Sequence, residues 1–159
     1  MSDSHEHRDN LNKAVAIVNE RKADALIFGG DLMAPGLGTK ALLQFEGPIH
    51  YIMWNNDGEK VIITKYLLKS GHAEVYAGSY ADIELWGAKI FITHYDVIGR
   101  YVAKAQEHDL VVYGHNHLWH HEVFGSTILL NPGAIVGNKE AASFVFFDTE
   151  TKEVERVVL

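Results

Sequence analysis

The chain has 159 residues, 47% hydrophobic and 22% charged, with a formal charge of -7 at pH 7, ten histidines and no cysteine. That length suits one domain, residues 1–159, able to bury roughly 70% of the surface its unfolded form exposes. The composition excludes disulfides and thiolate metal sites, and the lack of a basic block argues against nucleic acid; with no run near the ~18 apolar residues of a membrane span and no apolar signal segment, a cytoplasmic protein is expected.

The opening "MSDSHEHRDN" places a carboxylate at Asp3 and an imidazole at His5. From Arg8 to Arg21 the residues Leu11, Ala14, Val15 and Val18 recur at helical spacing, which predicts a surface helix capped by Asp9 or Asn10. "ALIFGGD" from Ala25 is a short apolar run ending in Gly-Gly-Asp, the pattern of a strand covered on both faces. "IHYIMWNND" from Ile49, "KIFITHYD" from Lys89 and "DLVVYGHNH" from Asp109 repeat it. Helices are predicted around Thr39 to Phe45, Glu59 to Lys69 and Val97 to Glu107, the last behind Asp96 as cap. Antiparallel hairpins are expected in "AEVYAGSYADIELWG" from Ala73, "HHEVFGSTILLN" from His120 and "SFVFFDTETKEVERVVL" from Ser143. Strands alternating with helices predict an α/β fold.

Four apolar runs end in oxygen or nitrogen donors: Asp31, Asn55, His94, and the pair His115 and His117. Ligands of open α/β sheets bind beyond the carboxyl ends of the strands, so these side chains can converge on one pocket. Ten histidines with carboxylates favour a metal held by nitrogen and oxygen. Two ions about 3.5–4 Å apart acidify a bridging water and clamp a phosphoryl group, and they supply the positive field that an acidic chain lacks. Asp57 fits either a turn before Gly58 or a carboxylate that orients a ligand.

Asp3-x-His5, Gly30-Asp31, Asn55-x-Asp57, His94 and Gly114-His115-Asn116-His117, in that order, resemble the calcineurin-like metallophosphoesterases, and "NNDGE" and "NPGA" resemble the small prokaryotic phosphodiesterase subfamily. The resemblance implies two packed β-sheets flanked by helices, with Asp3, His5, Asp31 and His117 on one ion and Asp31, Asn55, His94 and His115 on the other. Asp31 bridges in that scheme, and Asp31, Asn55, His94 and His115 carry the catalysis, with a metal-bridging hydroxide as nucleophile. Mn²⁺ is the first choice of ion on the same ground; Fe, Zn²⁺, Ni²⁺ and Mg²⁺ suit the donors too. Departures from the family also set expectations. The apolar strand that normally precedes the Asp-x-His is missing, so the domain reads as N-terminally truncated, with Asp3 and His5 on a fraying start and an exposed sheet edge that invites homo-oligomers. Asn56 replaces the histidine of many phosphomonoesterases, and an amide cannot protonate a leaving group, so diesters or activated esters are the expected substrates. The rival expectation is an interaction scaffold or an inactive metal-binding homologue on the same fold, as the retromer scaffolding subunit exemplifies. All seven ligand positions are encoded, which favours the enzyme.

Overall fold

The computed structural model describes residues 1–159 in four layers. Helix α1 (Arg8–Glu20), α2 (Leu37–Leu42) and α3 (Lys60–Lys69) cover one face of a parallel three-stranded sheet of β1 (Leu26–Phe28), β2 (Ile49–Ile52) and β3 (Ala73–Tyr76), in the order β1-β2-β3. The stripe read from the sequence does this work: Leu11, Ala14, Val15 and Val18 are all buried, against Phe28, Leu42 and Ile63. The cap is His7, whose ring accepts from the Asn10 amide, so Asp9 and Asn10 are not the cap residues.

The third layer is a five-stranded sheet ordered β4-β5-β6-β8-β7, made of β4 (Tyr80–Leu85), β5 (Ala88–Thr93), β6 (Leu110–Val112), β7 (Trp119–Phe124) and β8 (Thr127–Pro132). Its inner face packs Ile90, Ile92, Val112 and Leu130 against Ile52 of the first sheet, and its outer face packs Phe91, Val111 and Leu129 against α4 (Asp96–Ala105). Asp96 lies inside the first turn of α4 and Tyr95 is the cap residue, one position earlier than expected. The hairpin expected from Ala73 does not form: β3 pairs with β2 in parallel, whereas β4 crosses to the second sheet and pairs with β5 around the Trp86-Gly87 turn. The other two hairpins form, as β7–β8 and as β9 (Ser143–Phe147) with β10 (Val154–Val158).

The start of the chain is held rather than frayed. Met1 to Ser4 are buried, and the main chain there bonds on both sides. The Met1 amine donates to the Ile27 carbonyl at 3.0 Å, Gly29 N–H to the Met1 carbonyl at 2.9 Å, and Asp3 N–H to the Gly30 carbonyl at 3.0 Å. Opposite, the amides of Ile135 and Val136 donate to the Ser2 and Asp3 carbonyls, both at 3.0 Å. Burial draws the Met1 amine down to about 5, against a smaller opposing pull from Asp3. No helix is long and apolar enough to cross a membrane.

Candidate metal centre

The turns after β1, β2, β5 and β6 deliver their side chains to one end of the sandwich, as expected where strands buried on both faces stop against polar residues. Two groups form. Asp3, His5 and His117 each place a ligand atom within 4.8 Å of the others, and so do Asp31, His94 and His115. The groups adjoin: Asp3 Oδ1 is 3.4 Å from His117 Nε2 and 3.7 Å from His94 Nε2, while Asp31 Oδ2 is 3.2 Å from His94 Nε2 and 3.8 Å from His5 Nε2. Each carboxylate therefore faces both groups. Asp3, His5, Asp31, His115 and His117 all have φ between 41° and 68°. Such left-handed conformations cost non-glycine residues energy, and their concentration here marks a backbone bent to aim side chains inward.

Neighbouring groups fix the aim. His94 is fully buried and its Nδ1 lies 2.8 Å from the Gly29 carbonyl, which can only accept, so the proton sits on Nδ1. The Nε2 lone pair then points at two carboxylates, and Nε2 has no hydrogen-bond partner, the 3.2 Å approach to Asp31 being poorly angled. His117 is held in the same manner by Asn138 Oδ1 at 2.7 Å from Nδ1, and its Nε2 faces His5 Nε2 at 3.1 Å. Lone pairs turned on one another and on carboxylates in a buried space repel unless a cation lies among them. The donor set thus fits divalent metal, with imidazole nitrogens and carboxylate oxygens converging and their far sides tied down.

The electrostatics of the metal-free site agree with that crowding. Burial pushes the Asp31 carboxyl up, but neighbouring His94 and the Asn56 side-chain and main-chain N–H groups outweigh it and hold the group at about 2. Burial pushes His94 down, yet Asp31, Asp3 and the Gly29 carbonyl leave it net raised. His117 is raised, chiefly by Asp3, while His5 is lowered, chiefly by desolvation.

Of the seven positions expected to hold metal, six lie in the two groups. The seventh, Asn55, lies exposed on the turn after β2. Its neighbour Asn56 instead donates to both Asp31 oxygens, from N–H at 3.0 Å and from Nδ2 at 2.8 Å. Asn116 turns away from the ligands, accepting from Asn131 Nδ2 at 2.9 Å. Asp57, 2% exposed, accepts from the amides of Leu32, Met33 and Trp54 and from the Tyr51 hydroxyl. It thereby bolts the turn carrying Asp31 to the turn carrying Asn55. Ser2 Oγ donates to Asp3 Oδ2 at 2.6 Å and the His115 amide approaches both Asp3 oxygens at 3.2–3.3 Å, orienting a ligand whose supports had no sequence signal.

A layered α/β sandwich with imidazoles and carboxylates gathered at its strand ends defines a metal-binding hydrolase architecture. The family model for the calcineurin-like phosphoesterase superfamily domain matches residues 1–152, and the chain belongs to that superfamily. It is 30% identical over 162 aligned residues to Phosphodiesterase MJ0936 of Methanocaldococcus jannaschii, covering 100% of this chain and 96% of the relative. A solved archaeal phosphodiesterase superposes with a TM-score of 0.91 at 28% identity, covering 100% of this chain and 97% of that one. The phosphoesterase Yfce of E. coli shares the fold, with a TM-score of 0.67 at 20% identity over 99% of this chain and 96% of its own.

Proposed function

We propose that the protein is a dinuclear metal-dependent phosphodiesterase. The observation that carries this reading is the buried His94 Nε2, held with its lone pair toward Asp31 and Asp3 and without a partner. One ion is assigned to Asp3, His5 and His117, the other to Asp31, His94 and His115 with Asn55 reaching in from its turn, and Asp31 is the shared ligand. Two divalent cations, Mn²⁺ in the first instance, supply acidification of water and positive charge for phosphoryl oxygens when bound.

The chain's own residues do the rest. Gly29 and Asn138 hold His94 and His117 in the tautomer that offers Nε2. Asn56 pins both oxygens of Asp31, so its amide is already committed and offers no proton to a leaving group. That favours substrates whose leaving group departs without a proton from this position, activated esters among them, and the likeness to the phosphodiesterases favours diesters. The exposed rim at Asn55 and His115 admits substrate, while Trp54 and Tyr95 stack edge to face at 5.1 Å and wall one side beside His94. Full provision of the ligand positions favours this reading over a scaffold with a degraded site.

The experiment is hydrolysis of an aryl phosphodiester and an aryl phosphomonoester by protein stripped of metal and reloaded with Mn²⁺, beside Asp31→Asn. Activity is expected to return with Mn²⁺, to favour the diester and to fall to background in the variant. Equal rates in stripped, reloaded and substituted protein contradict the proposal.

A further inference from the structure

Three imidazoles of the centre are fixed from behind, each at Nδ1. His94 meets the Gly29 carbonyl at 2.8 Å and His117 the Asn138 amide oxygen at 2.7 Å, both ordinary oxygen acceptors. His5 meets a thioether instead, its Nδ1 lying 3.2 Å from Met33 Sδ. That sulfur carries no hydrogen and can only accept, so the proton sits on His5 Nδ1. Nε2 is left with its lone pair, 3.1 Å from His117 Nε2 and 3.9 Å from Asp3 Oδ1. A thioether is a weak acceptor, so His5 has the loosest tie of the three.

The sulfur is placed by backbone that is strained and clamped. Met33 has φ 84°, a left-handed conformation that a long side chain adopts only at a cost. Its N–H donates to Asp57 Oδ1 at 3.1 Å and its carbonyl accepts from Gly58 N–H at 2.7 Å, so both sides of the residue are tied to the turn after β2. The side chain is thereby delivered to the back of the His5 ring. The sequence has three methionines, of which Met1 is 9% exposed and Met53 3%, both within the core, while Met33 is partly open to solvent. A solvent-borne oxidant therefore reaches Met33 before the other two.

We infer that Met33 is the positioning residue of His5 and a reversible oxidation site, at which hydrogen peroxide weakens metal binding by Asp3, His5 and His117. The inference rests on the reading of those three side chains as one metal site. In the oxidation, the sulfur lone pair not engaged by His5 attacks a peroxide oxygen. An S–O bond forms, the O–O bond breaks, and the departing hydroxide takes the remaining peroxide proton and leaves as water. The sulfide is oxidised by two electrons and the peroxide is reduced, giving methionine sulfoxide. A contact of 3.2 Å leaves no room for an atom between sulfur and Nδ1. The new oxygen either pushes the ring back or turns the sulfur out of reach, and both take Nε2 away from Asp3 and His117.

The test uses the full chain. In metal-stripped protein, long-range proton–nitrogen NMR correlations should show His5 protonated at Nδ1 and bare at Nε2. Hydrogen peroxide should add one oxygen to Met33 before Met1 or Met53, as peptide mass spectrometry reads. Titration calorimetry with Mn²⁺ should then show one of the two sites weakened by roughly 10-fold, and methionine sulfoxide reductase should restore it. Met33→Leu, of similar size but without an acceptor, should bind Mn²⁺ about as weakly as the oxidised protein, and peroxide should change it no further. The NMR and mass spectra need no metal, so their failure is distinct from failure of the metal reading. The inference is overturned by a His5 protonated at Nε2, by oxidation of Met1 or Met53 ahead of Met33, by unchanged Mn²⁺ affinity after oxidation of Met33, or by an equal effect of peroxide on Met33→Leu.

Discussion

Replacing Asp57 with asparagine removes one oxygen and changes nothing in size, which makes the cost calculable. The carboxylate accepts from Leu32 N–H at 2.8 Å, Met33 N–H at 3.1 Å and Tyr51 O–H at 2.8 Å through Oδ1, and from Trp54 N–H at 2.8 Å through Oδ2. Asparagine keeps its single oxygen best at the three-donor position and thereby turns an NH₂ toward Trp54 N–H, donor against donor. The lost bond to a charged acceptor costs about 1.5–3 kcal/mol, and the three surviving bonds weaken as they pass from charged to neutral. The sum is roughly 3–5 kcal/mol, and at about 2–4 °C per kcal/mol for a chain this long Tm falls on the order of 10 °C. Calorimetry on metal-free wild type and Asp57→Asn reads the effect directly. Metal affinity, read by isothermal titration of Mn²⁺, should fall as well, since Asp57 holds the Asp31 and Asn55 turns in register. A Tm within 2 °C of wild type, as an order-of-magnitude bound, refutes the assignment of Asp57 as the bolt between those turns.

In metal-free protein, Asp31 is held at about 2, below its ordinary 3.8. A depressed carboxyl stabilises the fold above its ordinary value, and that stabilisation, about 2 kcal/mol, is lost as pH falls from about 4 through 2. Urea unfolding between pH 5 and 2 should therefore show a steeper acid loss for wild type than for Asp31→Asn; parallel curves contradict the shift. Gly114→Ala puts a Cβ 2.5 Å from Asp3 Oδ2 and 3.0 Å from Ser2 Oγ, so Asp3 must move, and Mn²⁺ affinity should drop by ~10-fold or more, checked by titration calorimetry. Metal binds the folded state and not the unfolded one, so Mn²⁺ at about 100 times its Kd adds ~2.7 kcal/mol, and EDTA should lower Tm accordingly; a Tm indifferent to EDTA contradicts a folded-state site.

What the sequence reveals is what local pattern controls. The α1 stripe, the four buried strands and the donors at their ends are visible because burial on two faces demands continuous apolar residues and the site demands polar ones just beyond. Partners far along the chain leave no such trace. "AEVYAGSYADIELWG" alternates like a hairpin, yet β3 finds its partner in β2 and β4 finds its own in β5, a choice made by the two sheets and not by the turn at Gly78. His7 caps α1 although Asp9 and Asn10 look better suited, and Met1 to His5 are fixed by Ile27, Gly30, Asp31, Ile135 and Val136, none nearby in sequence. Among the site residues, Asn56 signals in the sequence only the histidine it replaces, whereas its geometry makes it the clamp on Asp31; Asn138 and Ser2 carry no motif at all.

The most direct test of the central claim is the anomalous scattering of a Mn²⁺-loaded crystal recorded above and below the manganese edge. Two peaks are predicted, one among Asp3, His5 and His117 and one among Asp31, His94 and His115, with Asp31 in contact with both. A single peak, or peaks away from these six side chains, contradicts the two-metal account.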